Sequence, residues 1–70
     1  MWVKANNNII NTDRCSKIYL DKDDYGEWRI AVDTELAWEV IIFRGNELAT
    51  NDALNKIIVG LKMHETMIEL

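Results

Sequence analysis

Three segments between Lys17 and Phe43 alternate apolar with polar residues or concentrate β-branched and aromatic ones, and the turns between them tie all three to one register. Asp24-Tyr25-Gly26 suits a three-residue hairpin loop with Gly26 in the left-handed region. That loop sets Lys22 opposite Trp28, Leu20 opposite Ile30 and Ile18 opposite Val32. Asp33 to Ala37 can close the next hairpin, pairing Val32 with Trp38, Ile30 with Val40 and Trp28 with Ile42. The predicted strands are therefore Lys17–Lys22, Glu27–Asp33 and Ala37–Phe43. Ile18, Leu20, Trp28, Ile30, Val32, Trp38, Val40 and Ile42 then share one face, and slipping either hairpin by one residue would scatter them. The opposite face carries Lys17, Asp21, Arg29, Asp33 and Glu39, with Asp21 facing Arg29 as a favourable cross-strand pair.

A sheet with one apolar face needs a cover, and the sequence offers one. From Thr50 to Leu61 the residues Leu54, Ile57, Ile58 and Leu61 recur at helical spacing, and the same period runs on to Ile68. Thr50 or Asn51 can cap the first turn, while Asp52 there and Lys62 near the end complement the helix dipole. Ahead of the meander, Trp2–Ala5 and Ile9–Asn11 read as two short extended pieces around Asn6-Asn7, a pair that tolerates the positive φ of a tight turn. The expected fold is α+β: a small antiparallel meander, which the N-terminal hairpin can extend, packed on one C-terminal helix. Residues 1 to 70 are expected to form a single domain.

Such a domain has a thin core. Although 49% of its residues are hydrophobic, a chain of 70 residues buries only about 60% of the surface it exposes when unfolded. Cys15 is the single cysteine, so no internal disulfide can staple the fold. Self-association is the remaining reinforcement. The formal charge of −4, with eight scattered basic residues, argues against a general nucleic-acid binder. Trp2-Val3-Lys4-Ala5 runs into polar asparagines without the apolar core of a signal peptide, and no apolar run approaches bilayer length. The expectation is a cytoplasmic protein with neither nucleic acid nor membrane as partner.

Motifs of catalysis and metal binding start and fail. Asp21-Lys22-Asp23-Asp24-Tyr25-Gly26 resembles the opening of a calcium loop, but Tyr25 and Val32 stand where an oxygen ligand and a bidentate glutamate are required. His64-Glu65 matches the first half of a zinc-hydrolase helix, with Ile68 in place of the second histidine. Cys15 beside Arg14 lacks a base held by any recognisable motif, and Gly26, Gly45 and Gly60 stand apart from one another, so no phosphate loop forms. Neither cofactor nor metal is expected.

Two apolar sets are left over. Tyr19, Ile41 and Phe43, with Ala31, fall on the sheet face that should be wet. Val59, Met63 and Met67 recur at i, i+4 and i+8 on the helix side opposite Leu54 and Leu61. Contiguous exposed apolar surface marks interaction sites, and methionine suits contacts that must adapt. The leading expectation is a non-enzymatic protein-interaction module that self-associates, with a homodimer as the simplest arrangement. An alternative uses the acidic residues Asp21, Asp23, Asp24, Glu27, Asp33 and Glu39 to occupy a basic, nucleic-acid-binding surface of another protein. A small-ligand or enzyme pocket between sheet and helix is a second alternative, and a filled core would oppose it.

Overall fold

The computed structural model describes residues 1–6 and 8–70. The chain is α+β, and its described residues form two three-stranded sheets and one long helix. Strands β1 (Trp2–Ala5) and β2 (Asn8–Asn11) form the N-terminal hairpin. Asn6 at its turn has φ +52°, whereas the Asn7 half of the expected turn lies outside the described residues. A 3-10 turn, Thr12–Arg14, leads into β3 (Cys15–Lys22), β4 (Trp28–Thr34) and β5 (Val40–Gly45), the antiparallel meander. Helix α1 (Glu47–Lys62) follows, then a short strand β6 (Met67–Glu69) that pairs parallel with β1. The hairpin does not extend the meander; it forms its own sheet, ordered β2-β1-β6.

The first meander turn obeys its local chemistry. Gly26 has φ +84°, Asp23 Oδ1 accepts from the N–H groups of Tyr25 and Glu27, and Lys22 faces Trp28, Leu20 faces Ile30 and Ile18 faces Val32. The second turn departs from expectation. Thr34 Oγ1 accepts from the N–H groups of Leu36 and Ala37, and Asp33 Oδ1 accepts from Glu39 N–H at 2.9 Å. These side-chain bonds hold a wider loop and carry Glu39 into the left-handed region at φ +53°. Val32 consequently faces Val40 rather than Trp38.

A bulge then changes the parity of β5. Ala31 faces Ile41 while Ile30 faces Phe43, leaving Ile42 as the extra residue between them. Both Ile42 and Phe43 turn inward, Ile42 fully buried and Phe43 packed against the core. Trp38, expected in the core, lies outside β5 and is 83% exposed. Trp28 is half-buried, with Lys22 Nζ 5.6 Å from its ring centroid.

The helix starts a turn earlier than the periodicity suggests. Asn46, not Thr50 or Asn51, is the cap: its Oδ1 accepts from Ala49 N–H at 2.8 Å. Thr50 is wholly buried one turn in, its hydroxyl donating to the Asn46 carbonyl at 2.7 Å, and Glu47 supplies the first-turn acid in place of Asp52. The face turned inward is Thr50, Ala53, Ile57 and Gly60; Leu54 packs against it, while Ile58 and Leu61 stand at an exposed margin. Small residues at positions 53 and 60 let the helix approach both sheets closely. Val3, Ala5, Ile30, Val32, Ile42, Ala53 and Ile57 make the buried cluster between the two sheets and the helix.

Ile68 does not continue the helical stripe. The helix ends at Met63, where His64 takes the left-handed position at φ +55°, His64 N–H donates to Leu61 O and Glu65 N–H donates to Gly60 O. That is the Schellman pattern, which reverses the chain and satisfies carbonyls the helix would leave orphaned. Ile68 then faces Val3 across the β1–β6 ladder and packs on the helix at Gly60.

Candidate interaction surfaces

Alternation along the strands fixes what each sheet shows outward. In the meander, Tyr19, Ala31 and Ile41 lie side by side across β3, β4 and β5. Ala31 is fully buried beneath its neighbours, and Tyr19 and Ile41 are half-buried. The Tyr19 hydroxyl donates to Asp33 Oδ1 at 3.4 Å, and Lys17 Nζ stands 4.5 Å from its ring centroid. Burial and the carboxylates of Asp33 and Glu39 push its hydroxyl pKa upward. Phe43 belongs to the core side, because the bulge inverts its parity, so the expected strip Tyr19, Ile41, Phe43 is not one surface.

The second apolar set also divides. Val59 lies on the outer side of α1 and is 56% exposed, and Met63 caps the helix end, also exposed. Met67 is not helical: it sits in β6, 50% exposed, on the outer face of the N-terminal sheet. Trp2 is opposite Met67 there, and Lys4 is opposite Ile9 on one side and Glu69 on the other. Trp2, Met67 and Ile9 thus make an outward apolar patch around the Lys4–Glu69 pair, whose charged atoms are 4.0 Å apart. Trp2 and Ile9 carried a legible signal in the sequence, since their parity opposes that of Val3 and Ala5 once β1 is paired.

Strand β6 lies between these patches. On its helix side an open groove of about 600 Å³ is lined by Val59, Gly60 and Ile68 together with the polar or charged Asp52, Asn55, Lys56, Glu65 and Glu69. At Gly60 the helix and β6 pack directly, since a Cβ there would sit 2.9 Å from Ile68 Cγ2.

A different exposed pair, unforeseen in the sequence, stands on the β4–β5 loop. Leu36 is 98% exposed beside Trp38, on a loop held by the Thr34 and Asp33 hydrogen bonds. The expected strand through Ala37 and Trp38 concealed it.

The acidic residues converge on the meander's outer face, and most have a structural partner. Arg29 Nε and Nη2 donate to Asp21 Oδ2 at 2.9 and 2.6 Å, and this guanidinium holds the Asp21 carboxyl below its ordinary range despite opposing desolvation. Asp23 ties its turn, Asp33 ties the loop, and Glu27 pairs with Arg44 at 3.4 Å. Asp21, Asp23, Asp24 and Glu39 share a surface hollow with Lys22, Arg29 and Tyr25.

Cys15 is half-buried, its Sγ donating to Asn11 O at 3.5 Å, and burial pushes its thiol pKa up, away from nucleophilic character. Among the described residues no cluster of three His, Cys, Asp or Glu side chains could hold a metal ion, and no helix is long and apolar enough to cross a membrane. The space between sheets and helix is filled by Ile30, Val32, Ile42 and Ile57. Compared with known proteins, the chain matches no family model, no curated sequence and no solved structure.

Proposed function

We propose that this chain is a non-enzymatic protein-interaction module that associates with a second copy of itself through apolar surface around Val59, Met63 and Met67. The observation that carries the reading is the placement of exposed apolar side chains on both sides of β6: Val59 on the helix side, Met67 with Trp2 on the outer sheet face. Apolar patches on both sides of one strand, in a domain with a thin core and no disulfide, are the surface an obligate partner would cover.

Sedimentation equilibrium from micromolar to millimolar concentration, at low and high salt, tests it. The expected outcome is a dimer whose affinity hardly responds to ionic strength, because the contact is apolar. Val59→Lys and Met67→Glu should each shift the equilibrium toward monomer while leaving the far-UV circular dichroism unchanged. An unchanged oligomeric state in both variants removes the reading. Phe43→Lys is unsuitable for the purpose, since Phe43 packs against the core.

The gathering of Asp21, Asp23, Asp24 and Glu39 in one hollow favours a second reading, an acidic surface that occupies a basic site on another protein. Affinity carried by those carboxylates would fall steeply with added salt, which separates the two readings in a single titration.

A further inference from the structure

The geometry points to the free edge of β6 as the pairing edge of a two-fold dimer, with β6 of a second copy running antiparallel beside it; this rests on the self-association proposed above and names its contact. Trp2 N–H donates to Thr66 O at 2.9 Å and Leu70 N–H donates to Lys4 O at 2.8 Å. In a parallel ladder the residues that bond a given neighbour alternate. Ile68 and Leu70 therefore turn their backbone groups toward β1, while Met67 and Glu69 turn their N–H and C=O outward, and among the described residues β1 is the sole strand neighbour of β6.

Unpaired edges are normally protected, and the edges of this molecule differ in protection. Edge strand β3 carries the charges of Lys17, Asp21 and Lys22. At β5 the Ile41 carbonyl is met by Asn8 Nδ2 at 3.5 Å, so β2 and β5 approach each other there. Edge strand β6 has one charged residue, Glu69, engaged with Lys4, and is flanked on both faces by exposed apolar side chains.

A second copy fits this edge because antiparallel pairing of β6 with itself is self-complementary. Centred on Ile68, it sets Met67 against the partner's Glu69 and Glu69 against the partner's Met67, and every outward backbone group of the strand finds a partner. The result is one continuous sheet ordered β2-β1-β6-β6-β1-β2. On its inner face the two Ile68 side chains meet at the axis, and the open grooves beside the two Val59 side chains face each other across the seam. On its outer face the Trp2–Met67 patch continues onto the partner's Glu69 and Lys4.

Hydrogen exchange read as a function of concentration, together with Glu69→Pro, tests the inference. Proline at 69 removes an outward N–H and leaves the β1 ladder, which uses the amides of Ile68 and Leu70, intact. The amides of Met67 and Glu69 should become protected as the dimer forms, and Glu69→Pro should weaken dimerisation about tenfold or more while preserving the circular dichroism spectrum. A dimer in which those two amides exchange as freely as in the monomer overturns the edge inference and leaves self-association standing. The edge inference falls in the same way if Val59→Lys dissociates the dimer and a folded Glu69→Pro does not. A wild-type chain monomeric up to millimolar concentration overturns both.

Discussion

A methyl group added at position 60 would lie 2.9 Å from Ile68 Cγ2 and 2.8 Å from Met1 Sδ, closer than side chains approach in folded proteins. The methionine end can swing aside; the β-branched Ile68, held in a paired strand, cannot. Glycine elsewhere in a helix interior costs about 1 kcal/mol relative to alanine, so the exchange would ordinarily stabilise. Here overpacking of roughly 1 to 3 kcal/mol opposes that gain. Gly60→Ala is expected to lower stability by about 1 kcal/mol, seen as a fall of roughly 4–8 °C in the thermal midpoint. A stabilised variant would show that β6 is free to move away from the helix. Asp21 is the other residue whose neighbour decides its behaviour. Its folded pKa is depressed by Arg29, so the stabilisation is complete above the ordinary carboxylate pKa and is lost as pH falls through the lower folded value. An NMR titration of the Asp21 carboxyl should return to the ordinary range in Arg29→Gln; an unmoved midpoint would assign the depression to the backbone instead.

At the scale of elements, helix α1 is bounded by chemistry at both ends. Asn46 caps its start, and a Schellman turn closes it with His64 where glycine is usual. An L-residue in that conformation costs roughly 1 kcal/mol, part of which glycine gives back through its more flexible unfolded chain. His64→Gly should therefore stabilise the protein by about 0.5 kcal/mol in chemical denaturation, with unchanged circular dichroism. A loss would mean that the imidazole makes a contact worth more than the strain. The β3–β4 hairpin was legible because its register is set within a few residues, by Gly26 and by Asp23. The β4–β5 register was not. Asp33 and Thr34 offer their side chains as acceptors to either a tight or a wide loop, and the bulge at Ile42 answers to packing beneath the sheet, which no local pattern records.

At the scale of the whole molecule, two sheets share one helix, and that arrangement determines which apolar residues are left outside. The surfaces expected around Tyr19 and Phe43, and around Val59 and Met67, were each drawn from a single periodicity, and each is divided by tertiary structure. Phe43 joins the core and Met67 joins a strand, yet the strand that takes Met67 brings it near Trp2 and gives the proposed dimer its edge. The salt-insensitive equilibrium expected of the wild type, and its loss in Val59→Lys, belong to this scale because they depend on both faces of β6 together.

The amino-acid sequence by itself determined the fold class, the three strands of the meander, the register of its first hairpin, the Asp21–Arg29 pair and the existence of one amphipathic helix, all of which follow from periodicity and turn chemistry acting over a few residues. Tertiary structure alone decided the parity of β5, the exposure of Trp38, the end of the helix and the existence of β6. The physical reason is range. Ile68 fits the helical period of α1 as well as it fits a strand, and the choice falls to β1, whose backbone groups at Trp2 and Lys4 need a partner more than sixty residues along the chain.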